Sequence, residues 1–180
     1  MRVPAALATA AFAVAALAAD SNIDLLHSSL VATFRQQAVS VDAVFRRFEG
    51  EIDYDPALPA ATRATLSVDM TSLDIGDEDT NAEVRKSVWF DTTRFPRATF
   101  RSTSVKPSAA GHFDAAGELT IKGQARPITV AVSVQRAGAA LAYDGRFELS
   151  RRDFNIGDPT WNQVLDDKVL VHFHLQAASH

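Results

Sequence analysis

The chain has 180 residues, of which 47% are hydrophobic and 22% are charged, and its formal net charge is −4. This balance is typical of one folded domain with a real core, and it argues against a disordered chain. The acidic balance also argues against nucleic acid as a partner. Because the chain has no cysteine, it can form neither disulfides nor thiolate metal sites.

Residues 1–18 are predicted to be a secretory signal peptide. Arg2 gives a positive start, an alanine-rich apolar run follows from Ala5 to Leu17, and Ala16-Leu17-Ala18 fits the small-x-small cleavage rule. The run is shorter than the roughly 20 strongly apolar residues that a spanning helix needs. We therefore expect cleavage after Ala18, export to the periplasm, and one domain over residues 19–180. An uncleaved membrane anchor is the alternative.

The rest of the chain mostly alternates between apolar and polar residues, as β-strands do. On the first strand, Leu30, Ala32 and Phe34 share one face. In the stretch 48–55, Phe48, Gly50, Ile52 and Tyr54 face one way, and Glu49, Glu51, Asp53 and Asp55 face the other. Since burying unpaired carboxylates is costly, the acidic face must meet water. Further alternating stretches are 65–70, 113–122, 128–135, 141–149 and 169–176.

One helix is predicted. Thr80-Asn81-Ala82-Glu83 matches a capping box, which predicts a helix from about Asn81 to about Trp89 with an apolar stripe at Val84, Val88 and Trp89. The segment that follows is rich in aromatic residues, and Pro96 is expected to fix a sharp turn before the next strand. Such a helix and aromatic segment would cover one part of a barrel.

We predict an all-β fold with one short helix, an extended eight-stranded antiparallel β-barrel. Successive strands joined by short turns pair antiparallel, and closure into a barrel removes exposed sheet edges. An outer-membrane barrel would carry an apolar outer face, so the acidic face of the stretch 48–55 favours a water-facing barrel.

The sequence contains no recognisable catalytic motif, whether Gly-x-Ser-x-Gly, a phosphate-binding glycine loop or His-Glu-x-x-His. His172 and His174 share a strand face, but two imidazoles without a third ligand rarely make a metal site. We therefore predict no catalytic residue, no metal and no cofactor. A hydrolase on a barrel scaffold is the least supported alternative.

Two features allow more than one interpretation. Arg151, Arg152 and Asp153 follow one another where a strand ends. An arginine here could meet an anionic ligand head group, or an Arg–Asp pair could pin the loop. The inward phenylalanines could fill a solid core or line an apolar tunnel, since both need the same residue types.

Several motifs in this order resemble the YceI-like family of exported polyisoprenoid-binding proteins, over essentially the whole chain after residue 18. They are His27-Ser28, Phe45-Arg46-Arg47-Phe48 with Gly50-Glu51-Ile52, Trp89-Phe90-Asp91, Phe95-Pro96, Ala98-Thr99-Phe100 with Ser102, Gly117 to Gly123, Pro127-Ile128, and Arg151 with Asp153-Phe154 and Ile156-Gly157. The chain looks most like the branch associated with cytochrome b561-type membrane proteins. It departs from the family pattern at Ile75, where threonine is frequent, and at Val44, where glycine is frequent. A bulkier Val44 is expected to narrow a channel near Phe45.

The resemblance implies a lipocalin-like barrel that holds a polyisoprenoid lipid, such as a quinone or a prenyl chain, without catalysing a reaction. The predicted role is that of a periplasmic carrier or sensor. The alternative is an interaction module that partners a membrane cytochrome b561, and a homodimer stays open. The predicted ligand-binding residues are Phe34, Phe45, Phe48, Ile52, Met70, Val88, Trp89, Phe95, Phe100, Ile121, Phe147, Arg151 and Phe154.

Overall fold

The computed structural model describes residues 21–178, so the predicted signal peptide lies outside the described residues. The strands are Ser29–Gln36 (β1), Val39–Phe45 (β2), Phe48–Asp53 (β3), Arg63–Asp69 (β4), Leu73–Asp74 (β5), Arg97–Ala109 (β6), His112–Ile121 (β7), Gln124–Ala137 (β8), Ala140–Ser150 (β9) and Lys168–Ala178 (β10). The α-helix is Glu78–Val84 (α1), and 3-10 turns lie at Leu25–His27, Pro59–Ala61, Met70–Ser72, Arg152–Phe154 and Pro159–Gln163. No helix within this range is long and apolar enough to cross a membrane.

All ten strands belong to one antiparallel sheet, in the order β3-β4-β6-β7-β8-β9-β10-β1-β2-β5. The sheet curls until its ends meet, because β3 continues β2 after two residues and β5 continues β4 after one 3-10 turn. Val44 pairs with Asp74, and Phe48 pairs with Val68, so the four segments form one long, twice-interrupted hairpin. The all-β antiparallel barrel with one helix is confirmed. It has ten strands instead of eight, although the ten occupy eight positions around the barrel.

The segment from Ser21 to Asp24 closes the seam between β10 and β3. The backbone N–H of Asn22 donates to the Gly50 carbonyl (3.1 Å), and that of Asp24 donates to the Gln176 carbonyl (2.7 Å). The Asn22 side chain also exchanges two hydrogen bonds with the backbone of Ile52, at 2.9 and 3.0 Å. We call this the terminal end of the barrel, where the β3–β4, β6–β7 and β8–β9 connections also lie. The opposite end, with α1 and the β9–β10 connection, is the helix end.

The alternation of polar and apolar residues along the strands gives the barrel a solvent-facing outer surface and an apolar inner surface. On β3 the residues alternate strictly between buried and exposed, with Phe48, Gly50 and Ile52 inside and the acids outside, as predicted. Arg97 bonds Glu49 across the outer face at 2.6 Å. The acidic row is therefore satisfied by water and by arginine, and the inner face is left free to build an apolar interior.

The helix begins and ends earlier than its sequence pattern suggested. Its N-cap is Asp77, whose carboxylate accepts from the Thr80 backbone N–H at 2.8 Å, so the predicted cap at Thr80 is wrong. The Asp77 carboxylate also accepts from the Thr80 hydroxyl, at 2.6 Å, which removes that hydroxyl as a capping group. After Val84 the chain continues as turns, and Val88 is 40% exposed instead of forming part of an apolar stripe.

The cap should contribute measurably to stability. Replacing Asp77 by alanine is expected to lower the free energy of unfolding by about 1 kcal/mol, the usual cost of losing an N-cap. Asp77→Asn is the matched control, because asparagine caps about as well and should leave the free energy nearly unchanged. Urea denaturation followed by circular dichroism measures both. Equal losses in the two variants would contradict the cap assignment.

Candidate functional site

The barrel encloses a cavity of about 240 Å³ with an almost wholly apolar wall. Along β7 the lining runs from Phe113 to Ile121, and along β9 it runs from Tyr143 to Arg151, the residue that follows the strand. Each stretch covers eight residue steps, or about 26 Å at about 3.3 Å per step. Among the described residues, the lining residues with a polar or charged group are Thr62, Thr65, Trp89, Tyr143, Arg151 and Asp166. The cavity is thus a long apolar channel, which we call the bore. It offers a ligand very few hydrogen-bond partners.

The bore is closed at the terminal end by packed aromatic rings. Tyr54 stacks on Phe113 with ring centroids 5.9 Å apart, and it meets the edge of Tyr143 at 6.2 Å. Phe113 and Tyr143 are buried. Burial, together with the neighbouring Tyr54, raises the pKa of Tyr143 to about 12. The Tyr143 phenol in this floor is therefore uncharged at ordinary pH.

Toward the helix end the inner side chains do not fill the space. Phe34, Phe100, Phe147 and Leu149 point inward and line the cavity, yet each keeps part of its surface accessible. A solid core would bury such residues, as the terminal end does with Ile52. The inward phenylalanines thus surround a void at this end, and the sequence could not distinguish that arrangement from a filled interior.

Two loops, the α1–β6 connection (residues 85–96) and the β9–β10 connection (residues 151–167), cover the helix end and are hydrogen-bonded to each other. Trp89 lines the bore and packs on Trp161 with centroids 5.0 Å apart. The backbone N–H of Gly157 donates to the Val88 carbonyl at 2.9 Å. Lys122 donates to the carbonyls of Val88 (3.2 Å) and Asn155 (2.7 Å). Partial burial lowers the pKa of Lys122. These contacts make the cover a fixed part of the wall.

Arg151 is the one cation in the bore wall, and its donors hold the β9–β10 connection. It is 4% exposed. Its guanidinium donates to the carbonyls of Asp166 (3.1 Å), Ile156 (2.9 Å) and Leu165 (3.2 Å), and to Oδ1 of Asn162 (2.8 Å). Burial lowers its pKa, and the Asp167 carboxylate opposes that shift.

Within residues 21–178 no ion pair joins Arg151 to a carboxylate. An Arg–Asp pair does hold this loop, but it joins Arg152 to Asp167, at 2.9 Å. The donors of Arg151 bind backbone carbonyls and Asn162 instead.

The structure brings most of the predicted site residues together. The bore is lined by Phe34, Phe45, Ile52, Met70, Trp89, Phe100, Ile121, Phe147 and Arg151. Four others lie elsewhere. Phe48 and Phe154 are buried in the core, and Val88 is exposed. The Phe95 ring lies against the turn at Gly123, under the Arg94 guanidinium.

Other lining residues were missed. Ala43, Leu66, Val169 and Phe173 lie on strands that offered no motif beyond alternation, whereas Ile75, Val84 and Phe90 lie in or beside the helix. Ile75, one of the two departures from the family pattern, faces the bore. Val44, the other, does not narrow it, since Val44 lies on the opposite face of β2 from the lining residues Ala43 and Phe45.

The outer face carries a second, shallow groove with His172 and His174, which shares Phe113, Val132 and Phe173 with the lining of the bore. His174 Nδ1 lies 2.7 Å from Oδ1 of Asp144, and Ser29 stands opposite His174 in the β1–β10 ladder. No hydrogen bond joins Ser29 to His174 within residues 21–178. In the same range, no three His, Asp or Glu side chains are placed to hold a metal.

The fold and its bore define the class: a ten-stranded antiparallel barrel with an internal apolar cavity. The family model for the YceI-like domain matches residues 22–177, and the chain belongs to that family. A UPF0312 protein of Vibrio cholerae is 32% identical over 155 residues, covering 79% of this chain and 80% of that protein. Protein YceI of Shigella flexneri is 29% identical over 150 residues, covering 78% of each.

Solved structures agree with the fold. BcnA of Burkholderia cenocepacia superposes with a TM-score of 0.84 at 35% identity, covering 87% of this chain and 99% of that one. A polyisoprenoid binding domain from Saccharophagus degradans superposes with a TM-score of 0.71 at 20% identity, covering 88% and 97%. Because the identity to the Saccharophagus degradans domain is low, this similarity shows only that the two proteins share a fold.

Removing the guanidinium should loosen the helix end. Arg151→Met is expected to lower the free energy of unfolding by at least about 2 kcal/mol, because buried carbonyls lose their donor at about 1–3 kcal/mol each. Arg152→Met is the neighbouring control: its exposed pair with Asp167 is worth at most about 1 kcal/mol. Urea denaturation at neutral pH compares the two. A similar loss in both variants would contradict a structural role specific to Arg151.

Proposed function

We propose that the chain binds one polyisoprenoid lipid, a quinone or a prenyl lipid, in its bore and acts as a periplasmic carrier or sensor without catalysing a reaction. The observation that carries this proposal is the bore itself. It extends along about eight residue steps of β7 and of β9, and its wall is almost entirely hydrocarbon.

The physical case rests on what such a wall can stabilise. Apolar surface removed from water contributes about 25 cal/mol per Å², so a long hydrocarbon chain gains affinity along the whole bore. A polar group inside would lose its hydration and find few partners, because four of the five N–H donors of Arg151 are already engaged. The ligand of this proposal therefore enters with its hydrocarbon tail toward Tyr54 and Phe113 and keeps its polar head at the helix end.

The comparisons support the same ligand class. The fold is shared with the Saccharophagus degradans domain named for polyisoprenoid binding, and the chain lies in the YceI-like family. The periplasmic location rests on the predicted signal peptide at residues 1–18. Transfer of the lipid to a membrane cytochrome of the b561 type is the alternative role, and it rests on the sequence resemblance alone.

Organic extraction and mass spectrometry of the protein purified after periplasmic expression test the proposal directly. The expected result is a co-purified lipid with an isoprenoid chain, in an amount approaching one molecule per chain. The control is the same protein after denaturation, delipidation and refolding, which should take up an added prenol. A refolded barrel that neither carries nor takes up any prenyl lipid would overturn the proposal.

A bulkier ring in the wall should lower lipid occupancy. Phe100→Trp adds volume where Phe100 lies against Gly117, with no space behind it, so we expect the co-purified lipid to fall severalfold. Thr99→Trp is the matched control, because Thr99 is exposed on the outer face of the same strand. Lipid per folded chain is measured by mass spectrometry. Equal occupancy in the two variants, both folded, would contradict the assignment of Phe100 to the ligand contact.

A further inference from the structure

The ring of Phe173 occupies the space that a side chain at position 145 would need. Gly145 and Phe173 are direct partners in the β9–β10 ladder, and both lie on the inner face. A Cβ on Gly145 would lie 2.8 Å from Cε1 of Phe173 and would also clash with Cζ. The backbone of Gly145 does not have the positive φ that favours glycine. Glycine is therefore needed at this position for the space it leaves.

This pair lies at the bottom of the bore. The ladders place Phe113, Val132, Gly145, Phe173 and Leu30 in one row across five strands. Phe113 belongs to the aromatic floor that closes the terminal end. Phe173 lines the bore and keeps part of its surface accessible. The position of its ring thus determines where the open bore ends and the solid floor begins.

We propose that Gly145 is a specificity-determining residue that sets how long a ligand chain the bore accepts. Because residue 145 has no side chain, the Phe173 ring rests against the wall and leaves the last part of the bore free. Any side chain at position 145 pushes that ring toward the bore axis and raises the floor. The inference rests on the proposed function, since it concerns the depth to which an isoprenoid tail is taken up.

A second pair shows the same arrangement higher in the bore but is less suited to a test. A Cβ on Gly117 would lie 2.5 Å from Cε2 of Phe100, and equally 2.5 Å from the carbonyl oxygen of Arg101. A substitution there would disturb the backbone of β6. At Gly145 the nearest backbone atom is the Ala131 carbonyl oxygen at 3.1 Å, which a small shift can accommodate. Gly145 is therefore the position that separates a change in bore depth from a change in fold.

The experiment compares a short and a long all-trans prenol, farnesol and solanesol, binding to the delipidated protein. Gly145→Ala is expected to weaken solanesol binding by roughly tenfold, the loss that follows from excluding about two methylene groups from an apolar wall. Farnesol, whose tail does not need the last part of the bore, should keep its affinity within about twofold. Titration by quenching of tryptophan fluorescence measures both, and circular dichroism confirms that the variant is folded.

Two further variants make the test specific. Adding Phe173→Leu to Gly145→Ala removes the displaced ring and should restore solanesol binding. Ala131→Val, an exposed residue on the outer face of the neighbouring strand, should leave both prenols unaffected. If wild type binds both prenols and Gly145→Ala weakens both equally, or neither, the depth assignment is wrong. If wild type binds no prenol at all, the proposed function itself fails.

Discussion

The structure depends on a sheet that closes on itself although two of its strands are broken. The linkers at Arg46-Arg47 and at Met70–Ser72 face each other, and hydrogen bonds cross between them: the Arg46 N–H donates to the Ser72 carbonyl at 3.2 Å, and the Asp69 N–H to the Arg47 carbonyl at 3.0 Å. Arg47 and Arg46 add ion pairs to Asp69 and Asp74 at 2.9 and 2.8 Å. The bond to Arg46 lowers the pKa of Asp74 to about 2. Without this polar joint the ladder would end in two open edges, and there would be no enclosed bore.

A hollow barrel must obtain its stability from somewhere other than its centre. Here the terminal end is packed as a conventional core, with Ile52, Phe113 and Tyr143 buried. The helix end has a second apolar cluster around Trp89 and Phe154, and hydrogen bonds to loop carbonyls through Arg151 and Lys122 add to it. Apolar packing tolerates little empty volume, whereas polar ties along the rim fix the cover without filling the space beneath it. Apolar packing at both ends, joined by polar ties at the helix end, leaves the space between the ends open.

The fold could be predicted from the sequence further than the site could. Alternation along 48–55 gave the correct inner and outer faces of β3, because a strand's period of two leaves no other arrangement once four acids must meet water. The predicted start of the helix at Thr80 was wrong, because Asp77 is the N-cap. Which of the two residues caps the helix depends on the backbone conformation at its start.

The site was harder to predict, because the depth of the bore and the void inside it depend on all the strands of the barrel together. Phe45 and Phe48 look equivalent in sequence, yet the break between β2 and β3 sends one to the cavity and the other into the core. The inward residues were recognisable from their pattern, but the void between them was not. The role of Arg151 was left open for a related reason, because the loop carbonyls that its guanidinium binds come from residues up to 15 positions away.

The α-helix also has a consequence for how the molecule meets other chains. Where α1 replaces a strand, residues 39–43 of β2 have no ladder partner on the side away from β1 within residues 21–178. Such a border is a template on which a foreign peptide can add itself as an extra strand. Here the border is only five residues long and carries the charge of Asp42, whose carboxylate accepts from the Thr33 hydroxyl at 2.6 Å. A short border and a negative charge are two of the features by which natural sheets discourage such added strands.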